Sequence, residues 1–95
     1  MHSTWTAKAG QEEEFARSWG DLARRAQEEF PGMNAQLLRD QAREDGFIGF
    51  ARWPNQEQVD AWQEHDAFKA GIAHTRELAE SFELRILDVA VEVGS

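Results

Sequence analysis

Apolar residues recur along this 95-residue chain in two periods, alternate positions and then steps of three and four, which divide it into elements. Ser3 to Lys8 alternates around Trp5 and Ala7, the pattern of a short half-buried strand, and Gly10 breaks it. From Gln11 to Phe30 the positions Phe15, Trp19, Leu22, Ala23, Ala26 and Phe30 make one helical stripe. Glu12, Glu13 and Glu14 sit at the positive end of that helix, and Pro31 and Gly32 stop it. Met33 to Arg39 and Phe47 to Trp53 read as paired strands. Asp45-Gly46 between them is a hairpin signal, because both central residues of a tight turn must tolerate positive φ. The first arm is expected to run on through Gln41 and Arg43 as a polar ribbon.

Asn55 is a good N-cap for a helix starting at Gln56, with Val59 and Trp62 on its apolar face. Asp66 offers a second N-cap, so a break is expected near His65 before Phe68, Ile72 and Leu78 carry the apolar side on to Phe82. Gly71 inside that stretch costs about 1 kcal/mol relative to Ala, which marks close packing there. Glu83 to Val93, rich in β-branched residues, is the strongest strand signal in the chain. Leu84 and Ile86 point to one side of it, and Leu87, Val89, Val91 and Val93 to the other.

The order β-α-β-β-α-β predicts an α+β, ferredoxin-like fold: a four-stranded antiparallel sheet with two helices on one face, formed by a single domain over 1–95. The other face is then bare, yet both sides of the last strand are apolar. A second copy packed sheet to sheet would cover it, so a homodimer through the sheet face is expected.

Charge removes whole classes of partner. Ten Lys and Arg against eighteen Asp and Glu leave a net charge of −8, which suits neither nucleic acid nor an anionic membrane surface. No apolar run approaches the ~20 residues of a spanning helix, and MHSTWTAKAG lacks a signal-peptide core, so a cytoplasmic protein is expected. With no cysteine there is neither a disulfide nor a thiolate ligand. Glu64-His65-Asp66 does not make a metal site, since neighbouring helical side chains diverge by ~100°. No phosphate-binding glycine pattern occurs either. Neither metal nor cofactor is expected.

Lys8-Ala9-Gly10-Gln11-Glu12-Glu13-Glu14-Phe15, then Phe50-Ala51-Arg52-Trp53, Val59 and Ala61 through Phe68, resemble the antibiotic biosynthesis monooxygenase family over nearly the whole chain. The resemblance implies a dimeric α+β barrel with a ligand cavity between sheet and helices. Many members are cofactor-independent oxygenases of quinols or polyphenols, and some relatives degrade haem. Trp62 falls where a cavity-lining Trp stands in the oxygenases, and Gln58 where an Asn is typical. Phe68 replaces the Tyr of those that oxidise polycyclic phenols, and Arg85 matches a basic group on the last strand. The haem-degrading pair is missing: Met1 to Gly10 holds no Asn, and Ile72 stands where their His would be, with His74 two residues on.

A cofactor-free oxygenase needs an apolar pocket, a proton acceptor and a positive group to steady the substrate anion. The candidate catalytic residues are Trp62, His65 as the base and Arg85 for the anion. Gln58, Phe68, Trp19, Phe15, Phe50 and Arg52 are the candidate substrate contacts. Plainer alternatives exist: Trp62 as core, His65 as an exposed or break-capping side chain beside Asp66, His74 as a surface residue and Arg85 as an interface or surface ion pair. The competing function is therefore a dimeric barrel that binds an apolar ligand, or serves in stress, without chemistry.

Overall fold

The computed structural model describes residues 1–94; Ser95, the end of the expected domain, lies outside them. Its elements run β1 (His2–Ala7), α1 (Glu12–Glu29), β2 (Asn34–Arg39), β3 (Gly46–Arg52), α2 (Gln56–Glu64), α3 (Asp66–Glu77) and β4 (Ala79–Arg85). The sheet is antiparallel with order β2-β3-β1-β4, so the expected ferredoxin-like architecture is present. The second helix is two helices, α2 and α3, so three rather than two are present.

The strand period of two sorts the sheet's faces. Ser3, Trp5 and Ala7 of β1 and Phe47 and Gly49 of β3 are buried under the helices. His2, Thr4, Ile48, Phe50, Gln36 and Leu38 share the opposite face, as the pairs His2↔Phe50, Thr4↔Ile48, Gln36↔Phe50 and Leu38↔Ile48 require. On that open face Leu38, Ile48 and Phe50 are 49%, 37% and 46% exposed.

Helix α1 packs on α3 through a close approach. A Cβ on Gly71 would stand 2.5 Å from Leu22 Cδ1, which accounts for a glycine inside α3. Ser18 and Thr75 join the same two helices by a 2.7 Å hydroxyl contact, and Thr75 Oγ1 donates to Gly71 O at 2.9 Å.

Three expectations need correction. The last strand covers Ala79–Arg85 and not Glu83–Val93, and the helical region ends at Glu77 rather than Phe82. The reason is register: β4 pairs with β1, His2↔Arg85 is the final pair, and no strand remains for the valines beyond. Val89, Val91 and Val93 therefore lie 71%, 81% and 93% exposed in a tail without an element.

The β2–β3 connection is not a two-residue turn at Asp45-Gly46, and no ribbon extends through Gln41 and Arg43. Asp40 folds a six-residue loop instead: its carboxylate accepts from Ala42 N at 2.8 Å and its N–H donates to Gly46 O at 2.9 Å. Gly46 belongs to β3; the positive-φ glycines among the described residues are Gly10 and Gly94. Finally, the break near His65 is present, but its N-cap is His65 itself, and Asp66 is the first residue of α3.

Candidate functional site

Two aromatic clusters fill the space between sheet and helices. Trp5, Phe15, Phe47 and Phe82 stack at centroid distances of 4.8–5.1 Å, with Ala7 and Ala79 closing that end. At the other end Trp62 meets Phe30, His65 and Phe68 at 5.5–6.3 Å, and Phe30 meets Trp53 at 5.5 Å. A cavity of about 60 Å³ lies at the second cluster and reaches Trp5 of the first, while Phe15, Phe47 and Phe82 stand clear of it.

Small residues make the void. Ala23 and Ala26 on α1, Ala35 on β2, and Gly49 and Ala51 on β3 all border it. Their truncated side chains leave a gap that Trp19, Trp53, Trp62, Phe68, Ile72 and Leu84 enclose. No Asp, Glu, Lys, Arg or His side chain is among the lining residues described. A Cβ on Gly49 would stand 2.4 Å from Ser3 Oγ and 2.8 Å from Trp19 Nε1, so the strand carries glycine where the indole crosses it.

Polar groups around the cavity are few. Trp5 Nε1 donates to Ser3 Oγ at 2.7 Å. Trp53 Nε1 is buried with no partner, as is Gln58 Oε1 one turn before Trp62. The Met1 α-amino group donates to Ala51 O at 3.0 Å, and burial lowers its pKa.

The candidate residues divide by position. Trp62, Phe68 and Trp19 line the cavity. Phe50 borders it, although its ring is on the open face, edge-on to His2 at 6.2 Å. Phe15 belongs to the first cluster. Gln58 and His65 lie on α2 and at its end without lining the cavity. His65 Nδ1 accepts from Ala67 N at 3.0 Å and so caps α3. Arg85 and Arg52 stand on the open face, bonded to Glu83 and, at 3.1 Å, to Glu92. Both arginines are therefore across the sheet from the cavity.

Sequence reasoning overlooked Trp53 and the small residues. The signal was available: in β3, Gly49 and Ala51 alternate with Ile48 and Phe50, placing the smallest side chains on the helix-facing side. A second, wider cleft of about 450 Å³ lies between the end of β3 and the tail, bordered by Arg52, Asn55, Ile86 and Val89.

A four-stranded antiparallel sheet, helices on one face and an aromatic cavity between them define a ferredoxin-like α+β domain with an apolar interior cavity. The sequence model of the antibiotic biosynthesis monooxygenase family matches residues 1–74, and the chain belongs to that family. Its fold is that of solved members. One antibiotic biosynthesis monooxygenase structure superimposes with a TM-score of 0.78 at 14% identity, over 95% of this chain and 96% of that one. SnoaB, a cofactor-independent oxygenase from Streptomyces nogalater, gives 0.77 at 18% identity, over 96% and 94%. PA3566 from Pseudomonas aeruginosa gives 0.71 at 20%, over 92% and 91%. Comparison with curated proteins finds no match. No helix among the described residues is long and apolar enough to cross a membrane.

Proposed function

We propose that this protein is a cytoplasmic monooxygenase that needs no cofactor and oxidises an aromatic quinol or polyphenol held between sheet and helices. The observation that carries the reading is the cavity wall: Trp19, Trp53, Trp62 and Phe68 converge on one apolar space without an ionisable side chain. Such a space suits two apolar reactants, a fused aromatic ring and dioxygen. In the reaction the phenol gives up its proton, and the anion passes an electron to O₂. With 9-anthrol, one oxygen atom becomes the new ring carbonyl. The other leaves as water with two substrate hydrogens, so the substrate supplies all four electrons. No lining side chain takes the phenolic proton, so it passes to water at the mouth. The rate is expected to rise with pH as the phenolate population grows.

Ligand pockets run to about 300–1,000 Å³, so the 60 Å³ void of the resting protein opens when a ring enters. Trp62 and Phe68 flank the α2–α3 junction, and their wall is the one with a hinge. Arg52 and Arg85 cannot reach a ligand in their own copy. A second copy laid on Leu38, Ile48 and Phe50 would bury this apolar face together with both arginines. We assign the protein as a homodimer on that basis; a monomer at micromolar concentration in sedimentation equilibrium would contradict it.

The absence of an ionisable side chain from the described lining favours one second reading, a barrel that binds an apolar ligand without turnover. Aerobic incubation with 9-anthrol separates the two. An enzyme yields anthraquinone above the uncatalysed rate and loses most of that rate in Trp62→Phe. A binder leaves the rate at background while anthrol still quenches the tryptophans.

A further inference from the structure

The α2–α3 junction is held by a histidine that caps both helices. His65 is at once the C-cap of α2, its N–H donating to Trp62 O at 3.0 Å, and the N-cap of α3, its Nδ1 accepting from Ala67 N at 3.0 Å. That second bond requires a lone pair on Nδ1, so the proton of the neutral ring is on Nε2. Nε2 faces Glu29 Oε2 of α1 at 3.7 Å. The ring leans against Trp62 at an interplanar angle of 38°, with centroids 5.5 Å apart, and Trp62 is a wall of the cavity.

We propose that His65 is a positioning residue whose neutral form locks the α2–α3 junction and the Trp62 wall, and that its protonation releases them. Ser, Thr or Asn would cap α3 without titrating; an imidazole makes the cap conditional. A proton on Nδ1 sets two donors against each other at the Ala67 bond, and the ring must leave it. The charges around it divide. The positive end of α3 opposes an imidazolium. Glu29, shared with Arg25 at 3.1 Å, attracts one, as do the neighbouring Glu64 and Asp66. Lys69, one turn into α3, repels one, with its ammonium held at 3.7 Å by Glu64. The protonated ring therefore moves from the α3 terminus toward Glu29, and Trp62 loses the neighbour packed against it. The effect on a bound aromatic rests on the cavity being the ligand site; the junction's own response does not.

The test follows the junction directly. In ¹⁵N-labelled protein taken from pH 8 to pH 5, the Ala67 amide proton is expected to move upfield with the titration of the His65 ring. The Trp62 indole resonance should move with the same midpoint. In His65→Asn, which keeps a capping oxygen but cannot titrate, both resonances should stay flat. Affinity for 2-naphthol, neutral over this range, should fall roughly threefold in the wild type and stay level in His65→Asn, a change of the size a lost cap allows. An Ala67 amide that stays fixed while His65 titrates would overturn the proposal, as would the same Trp62 shift in His65→Asn. Flat naphthol binding with an intact Ala67 response would instead count against the cavity as the ligand site.

Discussion

The two ends of the interior are built from the same residue types and do different things. Around Phe15, which is fully buried, Trp5, Phe47 and Phe82 interlock, and of these four Trp5 alone borders the cavity. Around Trp62, equally aromatic, the opposing surface is Ala23, Ala26, Ala35, Gly49 and Ala51, and a void remains. Large against large closes a core, whereas large against small leaves room for a ligand. The unpartnered polar atoms, Trp53 Nε1 and Gln58 Oε1, also fall at the open end. Tight packing is concentrated at one end of the sheet and the cavity at the other.

Removing a large side chain from the closed end should therefore cost most. Phe15→Ala is expected to lose about 3–5 kcal/mol in urea unfolding, a large share of what a domain this size possesses. Adding volume sharpens the contrast. Ala7→Leu, at 1% exposure, should cost about 1–3 kcal/mol through overpacking, whereas Ala51→Leu at the cavity should cost less and abolish naphthol binding. Equal losses for the two would remove the distinction between the ends. Thr75→Val, which deletes the hydroxyl joining α1 and α3, should cost about 1 kcal/mol by thermal denaturation. Arg52→Ala breaks an ion pair whose side chains are both more than half exposed, and should change stability by less than about 0.5 kcal/mol.

What could be read from sequence was whatever a single local period decides. The α1 stripe from Phe15 to Phe30, the Asn55 cap and the close approach at Gly71 follow from spacing and from the size of one residue. The tail does not, because β-branched residues name a strand only when a partner exists. With β1 used up at His2↔Arg85, Val89 to Val93 pair with nothing in one copy. The β2–β3 turn failed for a similar reason: Asp45-Gly46 fits a tight hairpin, but an Asp40 side-chain bond selected a longer loop.

Within the site the aromatic wall was legible and the cavity was not. Trp62, Phe68 and Trp19 stand out as large residues at helical spacing. The void depends on Ala and Gly from three elements meeting across it, and no window of sequence contains that meeting. His65 was visible as a histidine beside a break, yet its role turns on which nitrogen faces Ala67.

Oxygen consumption with 9-anthrol, followed alongside anthraquinone, tests the central claim most directly. One O₂ consumed per anthraquinone formed, faster than without protein and suppressed in Ala51→Leu, is the expected result. Consumption at the uncatalysed rate, with anthrol bound in the cavity, would contradict it and leave a binding protein.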